Sequence, residues 1–288
     1  MLPQHEIVGA FDIAGIPCRV DCRDEEFRAS IASRYADFSA EAPSEVSLQV
    51  RVTAALPTDV AARATGPFAR LGGRGGELTI EGIGFRGAFD ERSGEGWIVQ
   101  PPDPAPFETF LTAICAGRLL RTGGFLLHAA AILSGEDAFV FFGPSGSGKT
   151  TVAELIGKGV ISDEIAVIRR DGAGFRVSAL PWRGRRLSAP LGGLFRLRKA
   201  QEIAFAPLSP SQAVRHLLPS VFLPRAEAWE AGRFLEIAQD LVKRAPCYEM
   251  RFTPDGALWD AILSAAFHPH PTLSHTTPKG CPVPGRGR

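Results

Sequence analysis

Short alternations of apolar and polar residues dominate the first hundred positions and predict a β-rich unit. Val46–Val52 alternates strictly, as a strand with one buried face does. Glu25–Phe38 is predicted as a helix. Further strands are predicted where short apolar runs stand between turn residues, at Ile7–Phe11, Pro17–Val20, Leu78–Ile80, Gly84–Ala88 and Trp97–Val99.

Longer apolar runs alternate with amphipathic segments from about residue 107 to 267, and they predict strands and helices in turn. The predicted helices lie at Phe107–Arg121, Thr150–Lys158, 209–218, Arg225–Arg244 and Asp255–Phe267. The predicted strands lie at Phe125–Leu133, Ala138–Phe142, Val160–Ile168, Phe175–Ala179 and Cys247–Phe252. The sequence therefore predicts an α/β fold with α+β character.

A cluster of prolines between residues 101 and 106 suits neither a helix nor a central strand, and it predicts a domain boundary. We expect a smaller β-rich domain over residues 1–104 and a larger α/β domain over residues 105–267. Residues 268–288 are rich in proline and glycine and carry almost no large apolar side chain. Such a segment cannot bury enough surface to offset its ordering entropy, so we expect a disordered tail.

The composition of the chain argues against nucleic-acid binding and against a membrane protein. The chain is 45% hydrophobic and 22% charged with a formal net charge of +1, so no global field recruits nucleic acid or an anionic membrane. It has no apolar run long enough for a membrane span and no signal-peptide pattern. Five scattered cysteines complete no zinc pattern and are expected to be reduced thiols, which predicts a cytoplasmic protein.

The most specific motif directly follows the apolar run Ala138–Phe142. Residues 143–151 read Gly-Pro-Ser-Gly-Ser-Gly-Lys-Thr-Thr, which meets the phosphate-binding pattern G-x-x-x-x-G-K-[ST]. Backbone N–H groups of such a loop surround phosphate oxygens, Lys149 brings positive charge to the outer phosphates, and Thr150 offers a hydroxyl to Mg²⁺. The candidate nucleotide-binding residues are Gly143, Ser145, Gly146, Ser147, Gly148, Lys149, Thr150 and Thr151.

The segment after the loop supports this interpretation over a decorative glycine-rich turn. Val152, Leu155 and Ile156 predict the apolar face of a helix, and Gly159 is predicted as its C-terminal cap. A strand before the loop and a helix after it are the context that a phosphate-binding loop requires.

An acidic pair, Asp163 and Glu164, follows this helix inside the predicted strand Val160–Ile168. A helix of roughly nine residues carries the chain about 14 Å away from the phosphates. Four extended residues bring it back by about 13 Å, so the pair returns level with the loop. Adjacent strand residues point to opposite faces, so one carboxylate faces the nucleotide while the other turns away or reaches metal through water. The alternative is that both carboxylates lie in solvent at the start of a strand.

His128, the loop and the acidic pair, in this order, resemble the HPr kinase/phosphorylase family and its HPr-kinase-like relatives. These proteins share a P-loop core with ATP-dependent phosphoenolpyruvate carboxykinase. The likeness covers about residues 107–200 and continues more loosely to about 267. It implies a PEP-carboxykinase-like P-loop kinase core over residues 105–267, with the N-terminal domain available for substrate recognition. The acidic pair here is Asp-Glu, where well-studied members carry Asp-Asp.

The resemblance implies roles for individual residues. Lys149 and the loop backbone hold the β- and γ-phosphates of ATP. Thr150 ligates Mg²⁺, Asp163 is the general base that also lies at the metal, and Glu164 assists metal binding. His128 lies near the transfer site, although a lone strand histidine is more often a satisfied core residue.

A basic turn, residues 180–186, carries Arg183, Arg185 and Arg186 and is a weaker candidate for substrate binding. Arginine suits phosphate or an acidic peptide, and a solvated surface turn is an equal alternative.

The expected function is an ATP- and Mg²⁺-dependent kinase that transfers phosphate to a serine hydroxyl of a protein or a ribosomally made peptide. A small-molecule kinase and a non-catalytic nucleotide sensor are the alternatives. Well-studied members of the resembled family form hexamers, but their N-terminal domain is not recognisable here, so the hexamer is not carried over and a homo-oligomer stays an open alternative.

Overall fold

A computed structural model describes residues 7–53 and 69–252, and this part of the chain forms two mixed β-sheets and five α-helices. The described fold is therefore mixed α and β, as predicted. The predicted helix Asp255–Phe267 and the predicted disordered tail lie outside the described residues.

The first sheet has seven strands in the order β1-β2-β3-β7-β6-β5-β4. Its strands are β1 (Ile7–Ile13), β2 (Ile16–Cys22), β3 (Val46–Val52), β4 (Arg70–Gly72), β5 (Glu77–Gly82), β6 (Phe85–Asp90) and β7 (Glu95–Gln100). The pairs β2–β3 and β3–β7 are parallel, and the other pairs are antiparallel. Helix α1 (Glu25–Arg34) forms the crossover between β2 and β3 that a parallel pair requires. A short 3₁₀ turn, Ala36–Phe38, follows α1 where a continued helix was predicted.

One face of the first sheet is buried under α1 and α2 (Ala105–Thr122). Helix α2 is apolar on most sides, since it also packs against strand β8 of the second sheet. Phe107 and Tyr35 stack with ring centroids 6.5 Å apart, which places α1 and α2 in one core. Helix α2 therefore joins the two sheets.

The second sheet begins after Gly123, which ends α2 in a left-handed conformation. Its strands are β8 (Gly124–Ser134), β9 (Asp137–Phe142), β10 (Val160–Ser162), β11 (Ile165–Asp171), β12 (Gly174–Ala179), β13 (Ser188–Lys199), β14 (Ala204–Pro207) and β15 (Cys247–Phe252). The pairings β8–β11–β12–β13–β9–β8 return to their starting strand and form a closed circuit.

Strand β9 lies between antiparallel β8 and parallel β13, so both of its edges are hydrogen-bonded, and residues 138–142 are buried on both faces. Val140 and Phe142 pack into one core, and Phe139 and Phe141 pack into another with helix α3 (Lys149–Ile156). This position explains the unbroken apolar run, since a strand covered on both faces does not alternate. The loop after β9 therefore leaves from the interior of the sheet.

Two helices cover the outer side of the circuit. Helix α4 (Pro210–Leu217) lies within the predicted helix 209–218. Ser209 caps it in a capping box with Gln212, and the chain continues as a 3₁₀ turn, Leu218–Ser220. Helix α5 (Ala228–Arg244) places Phe234 edge-on to Phe125, with ring centroids 5.1 Å apart. None of the described helices has the length and apolar character needed to cross a membrane.

Three predictions about residues 149–171 were wrong, two on element boundaries and one on burial. The predicted strand Val160–Ile168 is divided into β10 and β11 at the acidic pair. Helix α3 ends at Gly157 rather than at Gly159, because Gly157 takes the left-handed cap conformation and donates to the Ala153 carbonyl. Leu155, expected on the buried face of α3, is 43% exposed.

Arg225, predicted to begin α5, instead lies before it and connects the two sheets. Its guanidinium donates to the Glu77 carbonyl and to the Glu91 carboxylate, each at 3.1 Å. Its Nε lies 3.6 Å from the carboxylate of Glu230, which is fully buried. The same Glu230 carboxylate accepts from the backbone N–H groups of Arg225 and Glu227.

We predict that Arg225→Ala lowers the free energy of unfolding by about 3–5 kcal/mol, because it leaves the buried carboxylate of Glu230 without its cation. Arg176→Ala is the matched control, since Arg176 and Asp171 form an exposed pair and its loss should cost about 1 kcal/mol or less. Urea unfolding of both variants measures the difference. Equal losses in the two variants would contradict this role for Arg225.

Candidate functional site

The loop between β9 and α3 has the backbone geometry of an anion cradle. Gly148 precedes α3 with a φ of 103°, and a Cβ there would lie 2.4 Å from the ring of Phe252. No side chain caps the N-terminus of α3 among the described residues. The first-turn N–H groups therefore remain available to an anion.

Lys149 is held inside this loop rather than in solvent. Its Nζ donates to the carbonyl oxygens of Gly143 and Pro144 at 3.0 and 3.2 Å, and only 7% of the residue is exposed. Burial lowers the pKa of the Lys149 ammonium, because desolvation disfavours the charged form. An anion placed in the loop would relieve this cost.

A cavity of about 370 Å³ lies over the loop and brings together most of the predicted site. Its volume falls in the range of about 300–1,000 Å³ that is common for ligand pockets. The residues that line it are His128, Ser145, Gly146, Gly148, Lys149, Thr150, Thr151, Asp163, Glu164 and Lys199. The predicted residues Gly143 and Ser147 support the loop from behind instead. Ser147 is buried, and its hydroxyl has no hydrogen-bond partner among the described residues.

The acidic pair reaches this cavity because the strand is interrupted. The side-chain oxygen of Ser162 accepts from the Ile165 N–H at 3.2 Å and lies 2.7 Å from the Ile165 carbonyl. This local turn replaces regular strand geometry at Asp163 and Glu164. Asp163 and Glu164 therefore lie between two strands rather than inside one, and both residues line the cavity.

A second cavity of about 560 Å³ continues from the acidic pair. It shares Thr150, Asp163 and Glu164 with the first cavity, and its far wall is residues 182–185. We call residues 182–186 the arginine loop. Arg183 pairs with the Glu164 carboxylate, so Glu164 has a cation as its partner.

Two of the three candidate arginines, Arg183 and Arg185, line the second cavity. Arg186 does not belong to it. Its guanidinium donates to the backbone carbonyl of Asp37 beyond α1, which ties the arginine loop to the first core.

His128 is the exposed residue in an otherwise buried stretch of β8, and it pairs with Ile165 at the start of β11. Burial and the positive charge of Lys149 lower the pKa of the His128 imidazole, and the carboxylate of Glu164 opposes them. The lowered pKa favours the neutral imidazole of His128, which lines the same cavity as Lys149.

Lys199, the last residue of β13, lines the first cavity but was missed by the sequence analysis. Strand β13 contains Pro190, Gly192 and Gly193, which are typical of a turn. The glycines instead permit close packing, since a Cβ on Gly192 would lie 2.9 Å from the ring of Phe139. The parallel register of Arg196 with Phe142 carries Lys199 past the end of β9 to the loop.

The donor set suits a hard cation that also binds phosphate. No group of three or more His, Cys, Asp or Glu side chains in residues 7–53 and 69–252 is placed to hold a metal. Mg²⁺ needs only one or two carboxylates when phosphates and waters supply its other ligands. Thr150 and Asp163, with oxygen donors on one cavity, fit that requirement.

A larger cavity of about 780 Å³ lies on the first sheet, away from these motifs. Arg51 and Arg86 flank Val99 on adjacent strands, and Trp97 is 43% exposed beside them. It contains no residue of the loop or of the acidic pair.

Comparison with protein-family models and with curated proteins gave no match. The function of this chain is therefore inferred from the residues of the two adjacent cavities.

We predict that the NMR titration midpoint of His128 lies below the usual value of about 6.5. Lys149→Met should raise this midpoint, because it removes a positive charge, and Glu164→Gln should lower it. His216, whose pKa is lowered mainly by burial and by Arg196, serves as an internal control that neither variant moves. An unchanged His128 midpoint in both variants would contradict the placement of Lys149 and Glu164 near His128.

Proposed function

We propose that this protein is an ATP- and Mg²⁺-dependent kinase with an HPr-kinase-like, PEP-carboxykinase-like P-loop core. It transfers the γ-phosphate to a hydroxyl, that of a serine in a protein or peptide. The observation that carries the proposal is that Asp163 lines two adjacent cavities, one over the phosphate-binding loop and one beside the arginine loop.

The loop and its flanks supply the nucleotide side of this site. Lys149 exchanges its bonds to the Gly143 and Pro144 carbonyls for phosphate oxygens, which pair its buried charge. Lys199 adds a second cation to the same cavity. Mg²⁺ held by Thr150 and Asp163 neutralises phosphate charge when it is bound.

Asp163 supplies the proton acceptor. The acceptor oxygen forms a bond to the γ-phosphorus, the bond from that phosphorus to the β–γ bridging oxygen breaks, and ADP leaves. The hydroxyl proton passes to the Asp163 carboxylate. Because transfer of this kind depends on position and charge, a cradle with cations and one base is sufficient machinery.

His128 does not compete for this role in the proposed mechanism. A lowered pKa favours the neutral imidazole, which can itself accept a proton, but His128 lines only the cavity over the loop, whereas Asp163 lines both cavities. His128 lies within the cavity as a neutral hydrogen-bonding group.

A small-molecule kinase is the second candidate. The second cavity, at about 560 Å³, falls in the size range of small-ligand pockets. Both candidates use ATP as the phosphate donor, Mg²⁺ as the metal and Asp163 as the base. They differ only in the molecule that receives the phosphate.

We predict that Asp163→Asn lowers phosphoryl transfer by about 10²–10⁴-fold, because it removes the general base. Transfer is measured from [γ-³²P]ATP with Mg²⁺ to a cell extract and to candidate peptides, and ATP binding is measured by calorimetry. Asp163→Asn should still bind ATP, whereas Lys149→Met should lose ATP binding.

A labelled protein or peptide band that depends on Asp163 supports the main proposal, and label confined to metabolites supports the second candidate. Transfer by Asp163→Asn at the wild-type rate, at saturating ATP, would refute the proposed base. ATP binding without any label would favour a nucleotide sensor.

A further inference from the structure

Hydrogen bonds and a ring contact hold the arginine loop in place, so its charged side chains extend from a fixed backbone. The Arg183 carbonyl lies 3.0 Å from the Ser162 hydroxyl, and the Arg185 N–H donates to the Ile161 carbonyl at 3.3 Å. The Trp182 ring lies 5.6 Å from that of Tyr35 in the first core. Binding groups supported in this way lose little entropy when they engage a ligand.

Gly184 is the residue that permits this anchoring. It forms a backbone bridge with Ser162, and a Cβ at this position would lie 2.0 Å from the Ile161 carbonyl oxygen. The close approach therefore requires glycine. The same contact holds the arginine loop against the strand that ends at the acidic pair.

The two arginines that flank Gly184 differ in their partners. Arg183 pairs with Glu164. Arg185 is exposed, lines the second cavity, and has no ion-pair or side-chain hydrogen-bond partner among the described residues. A guanidinium held at a cavity wall without an anion is suited to bind a carboxylate through two parallel hydrogen bonds.

The remaining walls favour a peptide side chain over a densely charged ligand. Val160, Ala153 and the partly buried Trp182 give the cavity apolar surface, and Glu154 contributes a carboxylate. A ligand with several negative charges would be repelled by Glu154 and by the acidic pair, whereas a single carboxylate at Arg185 would not.

We propose that the second cavity is the acceptor site and that Arg185 selects a serine-containing peptide with one acidic residue close to the acceptor serine. This inference rests on the proposed kinase function. Arg185 acts on substrate selection and not on the chemical step, since it lines only the second cavity, whereas Lys149 lines the first and Asp163 lines both.

The test uses short alanine-based peptides with one serine and with one glutamate or glutamine at each nearby position. We expect wild-type kcat/KM to favour the best glutamate peptide over its glutamine twin by about 10-fold, corresponding to about 1.4 kcal/mol. Arg185→Gln should remove this preference by raising KM for the glutamate peptide. It should leave the glutamine peptide and the affinity for ATP unchanged.

Arg86→Gln is the matched control, because Arg86 is also exposed and lines the larger cavity on the first sheet, but lines neither the first nor the second cavity. Loss of the preference in Arg86→Gln, or an equal loss for both peptides in Arg185→Gln, would overturn the proposal. So would a wild-type enzyme that phosphorylates both peptides equally, or one that prefers a phosphorylated peptide to the glutamate peptide.

Binding of the same peptides with alanine in place of serine separates this inference from the proposed chemistry. Affinity is measured by fluorescence anisotropy with a non-hydrolysable ATP analogue present. Glutamate-dependent binding that requires Arg185, without any transfer, would support the acceptor site and refute the kinase. Transfer without glutamate-dependent binding would refute the acceptor site alone, and failure of both would refute both.

Discussion

The hydroxyl of Ser162 is the contact on which the geometry of the site depends. It is fully buried at the end of β10, accepts from the Ile165 N–H, and lies within hydrogen-bond distance of the Ile165 and Arg183 carbonyls. Its single proton serves one of these carbonyls at a time. The same atom thus interrupts the strand at the acidic pair and holds the arginine loop beside that interruption.

The sequence was sufficient for features that are encoded locally. The apolar strand, the glycine-rich loop and the start of α3 follow from residues that are adjacent in the chain. The order of His128, loop and acidic pair was enough to expect one site, and these residues do line one cavity.

Features that depend on tertiary pairing could not be predicted in this way. Lys199 reaches the cavity only through the parallel register of β13 with β9, in a segment whose glycines indicate a turn. The position of Arg186 depends on the carbonyl of Asp37, and that of Arg185 on the carbonyl of Ile161. The interruption of the strand at Asp163 depends on the Ser162 side chain, which bonds backbone groups in place of regular strand hydrogen bonds. The apolar residues on both sides of the acidic pair instead indicate one continuous strand.

A crystal structure with Mg²⁺ and a non-hydrolysable ATP analogue tests the central claim most directly. The account predicts that Lys149 Nζ leaves the Gly143 and Pro144 carbonyls for the phosphates, and that the Asp163 carboxylate faces the γ-phosphate on the side of the second cavity. A triphosphate bound elsewhere would contradict the account. So would an Asp163 carboxylate separated from the γ-phosphate by the strand.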